Sequence, residues 1–261
     1  MNDEPLSKQA IRAAYGWGRP KDWPEAVRLL ERAAEAGETD AADQYELITQ
    51  RPLEEMLAPP PLERQSDAIR LGICRGFAPP GFSEWIIRRA EPRLVASSVH
   101  GDDDQSVRTA RDAGFGPQQR DLVLAVLQER AARLINAPIE CHEPPNAISY
   151  EAGQEFKTHV DYVDPRVPEF REELQRMGQR IATFVTYLND DFEGAETHFP
   201  HLGLKLRGGV GDAIVFINVL PDGSPDYGTV HFAPPPERGR KWVLSQWIRS
   251  KPFPYRPEDL A

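Results

Sequence analysis

The first part of the chain carries apolar side chains at three- and four-residue spacing, the pattern of amphipathic helices. One such stripe runs from the capping residue Asp22 to the stop signal at Gly37, and a second reaches Ile48. The pattern predicts a helical hairpin within residues 1–57. The proline-rich stretch 58–65 that follows is expected to be a stiff linker.

Residues 66–261 change from helical to strand-like patterning and are expected to form the second domain. Two amphipathic stretches, 82–94 and 122–134, are predicted helices. The candidate strands are residues 69–74, 147–150, 156–160, 181–188, 196–199, 213–218, 229–232 and 241–249. Helices followed by short strands and turns favour an α+β fold with a sandwich or jelly roll.

The composition of the chain argues against two kinds of partner, nucleic acids and membranes. Lysine and arginine total 31 against 41 acidic residues, a net charge of −10, which argues against a nucleic-acid partner. We find no secretory signal and no apolar run long enough to span a bilayer, so no membrane association is expected. Two isolated cysteines, Cys74 and Cys141, fit a reducing cytoplasm, and the sequence leaves open whether they pair.

Three residues of the strand-rich region form a candidate metal site. His159 and Asp161 are two positions apart, so in a strand they project from the same face. His231 lies in another predicted strand. Two imidazoles and one carboxylate cap one face of a ferrous ion and leave open positions. The alternative interpretation of the His-x-Asp pair is a surface ion pair.

Lys241 begins the last predicted strand, where it shares a face with Val243 and Ser245. A lysine directed into an apolar barrel is costly unless an anion meets it. The alternative is an exposed strand lysine, which is common at sheet edges.

Several ordered segments resemble prolyl 4-hydroxylases over roughly residues 66–250. They are AISYEAGQEFKTHVD at 147–161, FVTYLN at 184–189, EGAETHFP at 193–200, VH at 230–231, KWV at 241–243, WI at 247–248 and VRT at 107–109. The resemblance implies a double-stranded β-helix with supporting helices and an iron(II)- and 2-oxoglutarate-dependent dioxygenase. It implies His159, Asp161 and His231 as iron ligands. O2 is the expected oxidant, and ascorbate is an expected further cofactor.

The resemblance also assigns roles around the metal. Lys241 would pair with the distal carboxylate of 2-oxoglutarate. Tyr150, Thr197 and Trp247 would be the other residues that contact this cosubstrate. The residues expected on the substrate side are Arg108, Phe156, Tyr162, Arg166 and His198. The segment 162–179 is predicted to be a lid over the substrate groove, or else an ordinary surface loop.

The chain departs from the family at three places: Gly194-Ala195 replaces Gly-Gly, Phe232 follows His231, and Phe156 replaces a common tyrosine. The leading hypothesis is hydroxylation of a prolyl residue in a peptide or protein. The alternatives are a hydroxylase of a free amino acid or other small molecule, and a non-catalytic interaction protein. The sequence leaves the oligomeric state open.

The N-terminal segments YGWG at 15–18, EAVRLL at 25–30 and AAEAG at 33–37 resemble one Sel1-like helical repeat. A single repeat cannot bury its own apolar face, so it is expected to pack on the main domain or on a partner. The alternative is a helical extension without a binding role.

Overall fold

The computed structural model describes residues 4–97 and 109–255. The helices are α1 (Leu6–Tyr15), α2 (Trp23–Glu35), α3 (Ala41–Ile48), α4 (Leu53–Leu57), α5 (Phe82–Ala90), α6 (Leu122–Ile135) and α7 (Arg171–Met177). The strands are β1 (Leu62–Arg64), β2 (Leu71–Cys74), β3 (Val95–Ala96), β4 (Arg111–Gly114), β5 (Asn146–Tyr150), β6 (Phe156–His159), β7 (Arg180–Tyr187), β8 (Glu193–Gly194), β9 (Thr197–Phe199), β10 (Leu204–Leu206), β11 (Ala213–Ile217), β12 (His231–Ala233), β13 (Pro236–Arg238) and β14 (Lys241–Arg249). Single 3-10 turns lie at Glu91–Arg93, Pro117–Gln119, Ile139–Cys141, Pro168–Phe170, Pro200–Leu202 and Tyr227–Thr229.

The chain divides into two compact units. One comprises residues 4–59, 116–140 and Tyr255, and the other comprises residues 60–97, 109–115 and 141–254. None of the described helices combines the length and the apolar composition required to cross a bilayer.

The first unit is helical. The side chain of Asp22 accepts a hydrogen bond from the Glu25 amide, as expected of a helix cap, and starts α2. α6 runs through this unit with all of its first ten residues buried. The phenol of Tyr15 donates to Gln128 of α6 at 2.7 Å, and the Arg130 guanidinium donates to the Met56 carbonyl at 2.6 Å. Polar as well as apolar contacts therefore hold α6 against the N-terminal helices.

This grouping differs from the predicted boundaries in two ways. α6 was expected in the domain 66–261, but it packs with α1, α3 and α4, because a helix buried on most of its surface needs cover on several sides. The predicted linker 58–65 contains β1, whose backbone pairs with β2. The resemblance of the N-terminal helices to a Sel1-like repeat remains a prediction.

The second unit is an antiparallel sandwich. Within the described residues, the larger sheet has the strand order β1-β2-β11-β7-β14-β5-β4-β3, and the smaller sheet has the order β10-β9-β12-β6. A two-stranded ribbon pairs β13 with β8. α5 contacts β4 and β5. All of the candidate strands named from the sequence are present, with ends shifted by three residues or fewer.

Apolar side chains from both sheets meet in one core. It includes Ile148, Val185, Ile214 and Phe216 from the larger sheet and Phe199 from the smaller sheet. Alternate residues of each strand enter this core, as the two-residue period of a strand requires. The same alternation directs the polar side chains described next into the space between the sheets.

Candidate metal centre

The three predicted ligands converge at the end of the smaller sheet. His159 is the last residue of β6, His231 is the first of β12, and the two are direct partners across the antiparallel pair. Asp161 follows β6 by two residues. One nitrogen from each imidazole and one carboxylate oxygen all lie within 4.8 Å of one another. Strand pairing therefore builds a three-ligand cluster from two distant parts of the chain.

Backbone carbonyls orient both imidazoles. Nδ1 of His159 lies 2.8 Å from the Lys157 carbonyl, and Nδ1 of His231 lies 3.0 Å from the Thr229 carbonyl. A carbonyl only accepts, so in each ring Nδ1 donates to it and Nε2 is the atom directed toward the other ligands. A donor set of two imidazoles and one carboxylate fits Fe(II).

Asp161 is a buried carboxylate. One oxygen, Oδ2, accepts a hydrogen bond from the Thr183 hydroxyl at 2.7 Å, and the other, Oδ1, lies 3.7 Å from Nε2 of His159. Burial opposes ionisation, but the two histidines, Arg180 and the Thr183 hydroxyl outweigh it and hold the pKa of Asp161 below its ordinary value. Asp161 is therefore ionised at neutral pH.

Aromatic rings fix the imidazoles from the other sides. The ring of Phe156 stacks on His159 with centroids 3.5 Å apart. The rings of Phe216 and Phe199 lie 4.9 and 5.7 Å from His231. These contacts restrict rotation of the ligands and keep the cluster close to a single geometry.

Lys241 is buried between the sheets. Its ammonium donates to the carbonyl of Ala195 at 2.7 Å and lies 5.0 and 5.7 Å from the rings of Tyr187 and Tyr150. Burial lowers the pKa of Lys241 to about 7; it outweighs the attraction by Glu196, and the repulsion by Arg207 acts in the same direction as burial. Ala195 has a φ of +53°, a left-handed conformation that a glycine adopts without cost, and it occupies the second position of the Gly-Ala pair.

One cavity connects this cation with the metal ligands. It is lined by His159, Asp161 and His231 and also by Lys241, Tyr150, Thr197 and Trp247. The structure thus brings together all of the residues that were expected to hold iron and 2-oxoglutarate. Ile148, Val185 and Val243 contribute apolar walls.

Tyr187 and Thr183 were not identified from the sequence. Tyr187 places its hydroxyl 3.0 Å from that of Thr197, and burial raises the pKa of Tyr187 to about 12. Thr183, Val185 and Tyr187 alternate along β7 and so project from the same face, and Thr183 and Val185 line the cavity. The two-residue period of that predicted strand, counted toward the core, is the signal that would have found both residues.

A wider groove of about 550 Å³ opens beside the cavity and shares Phe156, His159, Asp161 and Trp247 with it. Tyr162 lines the groove as well, so three of the expected substrate-side and pocket residues (Phe156, Tyr162 and Trp247) are placed there. The groove thus adjoins the open side of the metal ligands.

Charged side chains in the groove pair with one another. Glu143 accepts hydrogen bonds from both Arg180 and Arg249, and Arg249 also donates to Glu173 of α7. Burial opposes ionisation of Glu143, but the two arginines prevail and hold its pKa below the ordinary value. The Arg180 guanidinium lies 4.3 Å from the ring centre of Trp247. Glu173 connects the predicted lid to β14.

Three other expected substrate residues are placed differently. Arg166 is exposed and forms a local ion pair with Asp164. His198 faces Glu196 at 3.5 Å and packs on Phe232, and neither it nor Arg166 is among the described residues that line the cavity or the groove. Arg108 falls outside the residues that the structure describes.

Comparison with known proteins identifies the family. Residues 145–249 match the sequence model of the 2OG-Fe(II) oxygenase superfamily. Prolyl 4-hydroxylase 1 of Arabidopsis thaliana is 31% identical over 201 residues, an alignment that covers 70% of this chain and 69% of that protein. The chain belongs to the 2OG-Fe(II) oxygenase superfamily.

Probable prolyl 4-hydroxylase 3 of the same plant is 31% identical over 189 residues, and the alignment covers 63% of this chain and 64% of that protein. The chain therefore spans somewhat less than two thirds of this relative. As a member of the 2OG-Fe(II) oxygenase superfamily, it uses Fe(II), 2-oxoglutarate and O2, which confirms those expected cofactors. The expected use of ascorbate remains a prediction.

Solved structures agree on the fold. The viral collagen prolyl hydroxylase of Paramecium bursaria Chlorella virus-1, in complex with 2-oxoglutarate, has a TM-score of 0.54 at 24% identity, with 69% of this chain and 95% of that chain covered. A prolyl hydroxylase from Trichoplax adhaerens, in complex with a peptide of hypoxia inducible factor, has a TM-score of 0.53 at 13% identity, with 69% and 83% covered. The predicted α+β jelly roll is confirmed.

Proposed function

We propose that this 2OG-Fe(II) oxygenase hydroxylates a prolyl residue of a peptide or protein. In the balanced reaction, one oxygen atom of O2 enters a C–H bond of the substrate. The other enters succinate as 2-oxoglutarate loses CO2. The observation that carries the proposal is the single cavity that joins the His159, Asp161 and His231 cluster to the buried Lys241 and adjoins an open groove.

In this proposal, some cavity residues bind iron and others bind 2-oxoglutarate. Nε2 of both histidines and Oδ1 of Asp161 hold iron, which supplies the oxidising chemistry when it is bound. The ammonium of Lys241 binds the distal carboxylate of 2-oxoglutarate, and the Thr197 hydroxyl and the Tyr150 phenol are the nearby polar groups. The apolar walls exclude water, which strengthens the attraction between the lysine and the carboxylate.

The groove supports a peptide as the substrate. Phe156 and Trp247 stand where the groove meets the cavity, so their rings are placed to contact a prolyl ring and direct a C–H bond toward the metal ligands. A free amino acid needs charged groups to hold its ammonium and carboxylate. Arg180, Arg249 and Glu143 instead satisfy one another.

The test measures succinate formation from 2-oxoglutarate with Fe(II) and a panel of proline-containing peptides, with free proline in parallel. We expect a peptide product heavier by one oxygen atom by mass spectrometry. His231→Ala should abolish turnover, whereas His201→Ala, which changes an exposed histidine bonded to the Tyr227 carbonyl, should retain it. Turnover of free proline alone would contradict the peptide assignment, and failure to oxidise 2-oxoglutarate with every substrate would favour a binding protein.

A further inference from the structure

Thr183 and Asn218 form a hydrogen-bonded pair behind the metal ligand Asp161. Thr183 lies in β7, Asn218 follows β11, and both side chains are fully buried. The Thr183 hydroxyl donates to Oδ2 of Asp161 at 2.7 Å and accepts from the side-chain amide of Asn218 at 3.0 Å. The pair therefore connects the core of the larger sheet to the carboxylate.

The direction of each hydrogen bond follows from the number of protons. Ionised Asp161 only accepts, and the single hydroxyl proton of Thr183 must point at it. Asn218 must then offer its nitrogen to Thr183, because a second acceptor would leave two lone pairs facing each other. This order occupies Oδ2 and leaves Oδ1, 3.7 Å from Nε2 of His159, to face the metal position. Successive bonds of this kind also strengthen one another.

The backbone of Asn218 leads to a second ligand. Its carbonyl accepts from the Asp226 amide at 2.9 Å, and the Asp226 carbonyl accepts from the Thr229 hydroxyl at 2.7 Å. The Thr229 carbonyl is the group that orients His231. Asn218 thus stands between two ligands that belong to different parts of the chain.

We propose that Thr183 and Asn218 are positioning residues that present Asp161 to the metal through a single oxygen. The inference rests on the metal-binding role proposed above. Neither side chain is one of the three proposed ligands, although Thr183 lines part of the same cavity. It acts by fixing the rotation of the Asp161 carboxylate, and loss of such an outer hydrogen bond typically weakens metal binding about 10- to 100-fold.

The test titrates Co(II) into metal-free protein and follows its visible absorption, a readout independent of turnover. Thr183→Val keeps the side-chain shape but removes the hydroxyl, and we expect the Co(II) dissociation constant to rise about 10- to 100-fold with a changed spectrum. Thr183→Ser restores the hydroxyl and should restore both affinity and spectrum. Thr186→Val is the matched control, since Thr186 is equally buried on the opposite face of β7 and should bind as the wild type does.

A double variant distinguishes an effect of Asn218 that acts through Thr183 from a general loss of packing. Asn218→Leu should weaken binding by itself, but added to Thr183→Val it should have little further effect, because Asn218 acts through Thr183. Circular dichroism checks that each variant is folded. If Thr183→Val does not fold, Asn218→Leu and Thr183→Ser carry the comparison.

The two proposals fail in distinguishable ways. Wild-type protein that does not bind Co(II) would refute the metal site itself. Wild-type protein that binds Co(II), with folded Thr183→Val or Asn218→Leu binding equally well and with the same spectrum, would refute only the positioning role. If Thr183→Ser loses as much Co(II) affinity as Thr183→Val does, the positioning role is also refuted, because the hydroxyl would then not account for the effect.

Discussion

The buried Lys241 predicts how the affinity for 2-oxoglutarate depends on pH. Burial lowers its pKa to about 7, far below the ordinary lysine value of 10.5. Only the protonated form attracts the distal carboxylate of 2-oxoglutarate, and that form is lost as pH rises through 7. Because the bound anion favours the charged lysine, 2-oxoglutarate binding should be accompanied by proton uptake.

The magnitude follows from this pKa. Below pH 7 the dissociation constant for 2-oxoglutarate should be nearly constant. About one tenth of the Lys241 side chains are protonated one pH unit higher, so the dissociation constant should rise about tenfold per unit, or about 1.4 kcal/mol. The rise should continue until the pH approaches the higher pKa that the lysine has beside the bound anion.

Isothermal titration of Mn(II)-loaded protein with 2-oxoglutarate measures the effect between about pH 6.5 and about pH 8.5. Titration in two buffers of different ionisation enthalpy counts the protons taken up. Lys241→Arg carries a permanent charge and should flatten the pH profile, whereas Lys205→Met, at an exposed lysine, should leave it unchanged. A flat profile in the wild type, or an equal slope in Lys241→Arg, would refute the reasoning.

Three further predictions concern stability and metal binding. Glu143→Gln leaves the buried Arg249 and the partly buried Arg180 without their shared carboxylate, so urea unfolding should show a loss of about 3–5 kcal/mol. Because the lowered pKa of Glu143 stabilises the wild type above about pH 4.5, the variant should lose less stability on acidification, and equal acid sensitivity would contradict this. Tyr255→Phe removes one of two acceptors of the buried Arg120 guanidinium, the other being Gln128, and should cost about 1–3 kcal/mol, measured by thermal unfolding. An unchanged midpoint would exclude a stabilising role. Phe156→Ala removes the ring stacked on His159 and should raise the Co(II) dissociation constant several-fold while the circular dichroism spectrum stays the same.

Local periodicity was enough to predict much of the second unit. The two-residue spacing predicted that His159 and Asp161 project together, and both line the cavity although β6 ends at His159. The strand pattern around Lys241 predicted its inward direction. The direct pairing of His159 with His231 could not be predicted from these patterns, since it depends on strands about seventy residues apart. The resemblance to prolyl 4-hydroxylases supplied that missing long-range link.

The position of α6 shows another limit. Its amphipathic pattern predicted a helix correctly, but a pattern gives the apolar face and not the partner that covers it. The N-terminal helices provide that partner, so the boundary drawn at the prolines missed a segment that returns from the middle of the chain.

The Thr183 and Asn218 pair was missed for a related reason. Both residues were inside predicted strands, and the strand period places Thr183 on the inward face of β7. No pattern in the sequence indicates that its partner is Asn218. Their importance follows from β7 and β11 being neighbours in register, which brings the two side chains within 3.0 Å of each other.

The placement of the metal ligands and of Lys241 on different sheets has a consequence for which cosubstrate can bind. Both histidines stand on the smaller sheet, and Lys241 stands on the larger one. Facing sheets pack about 10 Å apart, so the distance between them limits the length of the diacid that can reach both the metal ligands and Lys241. Keto diacids one methylene shorter or longer should therefore bind less tightly than 2-oxoglutarate, which the same calorimetric titration would measure.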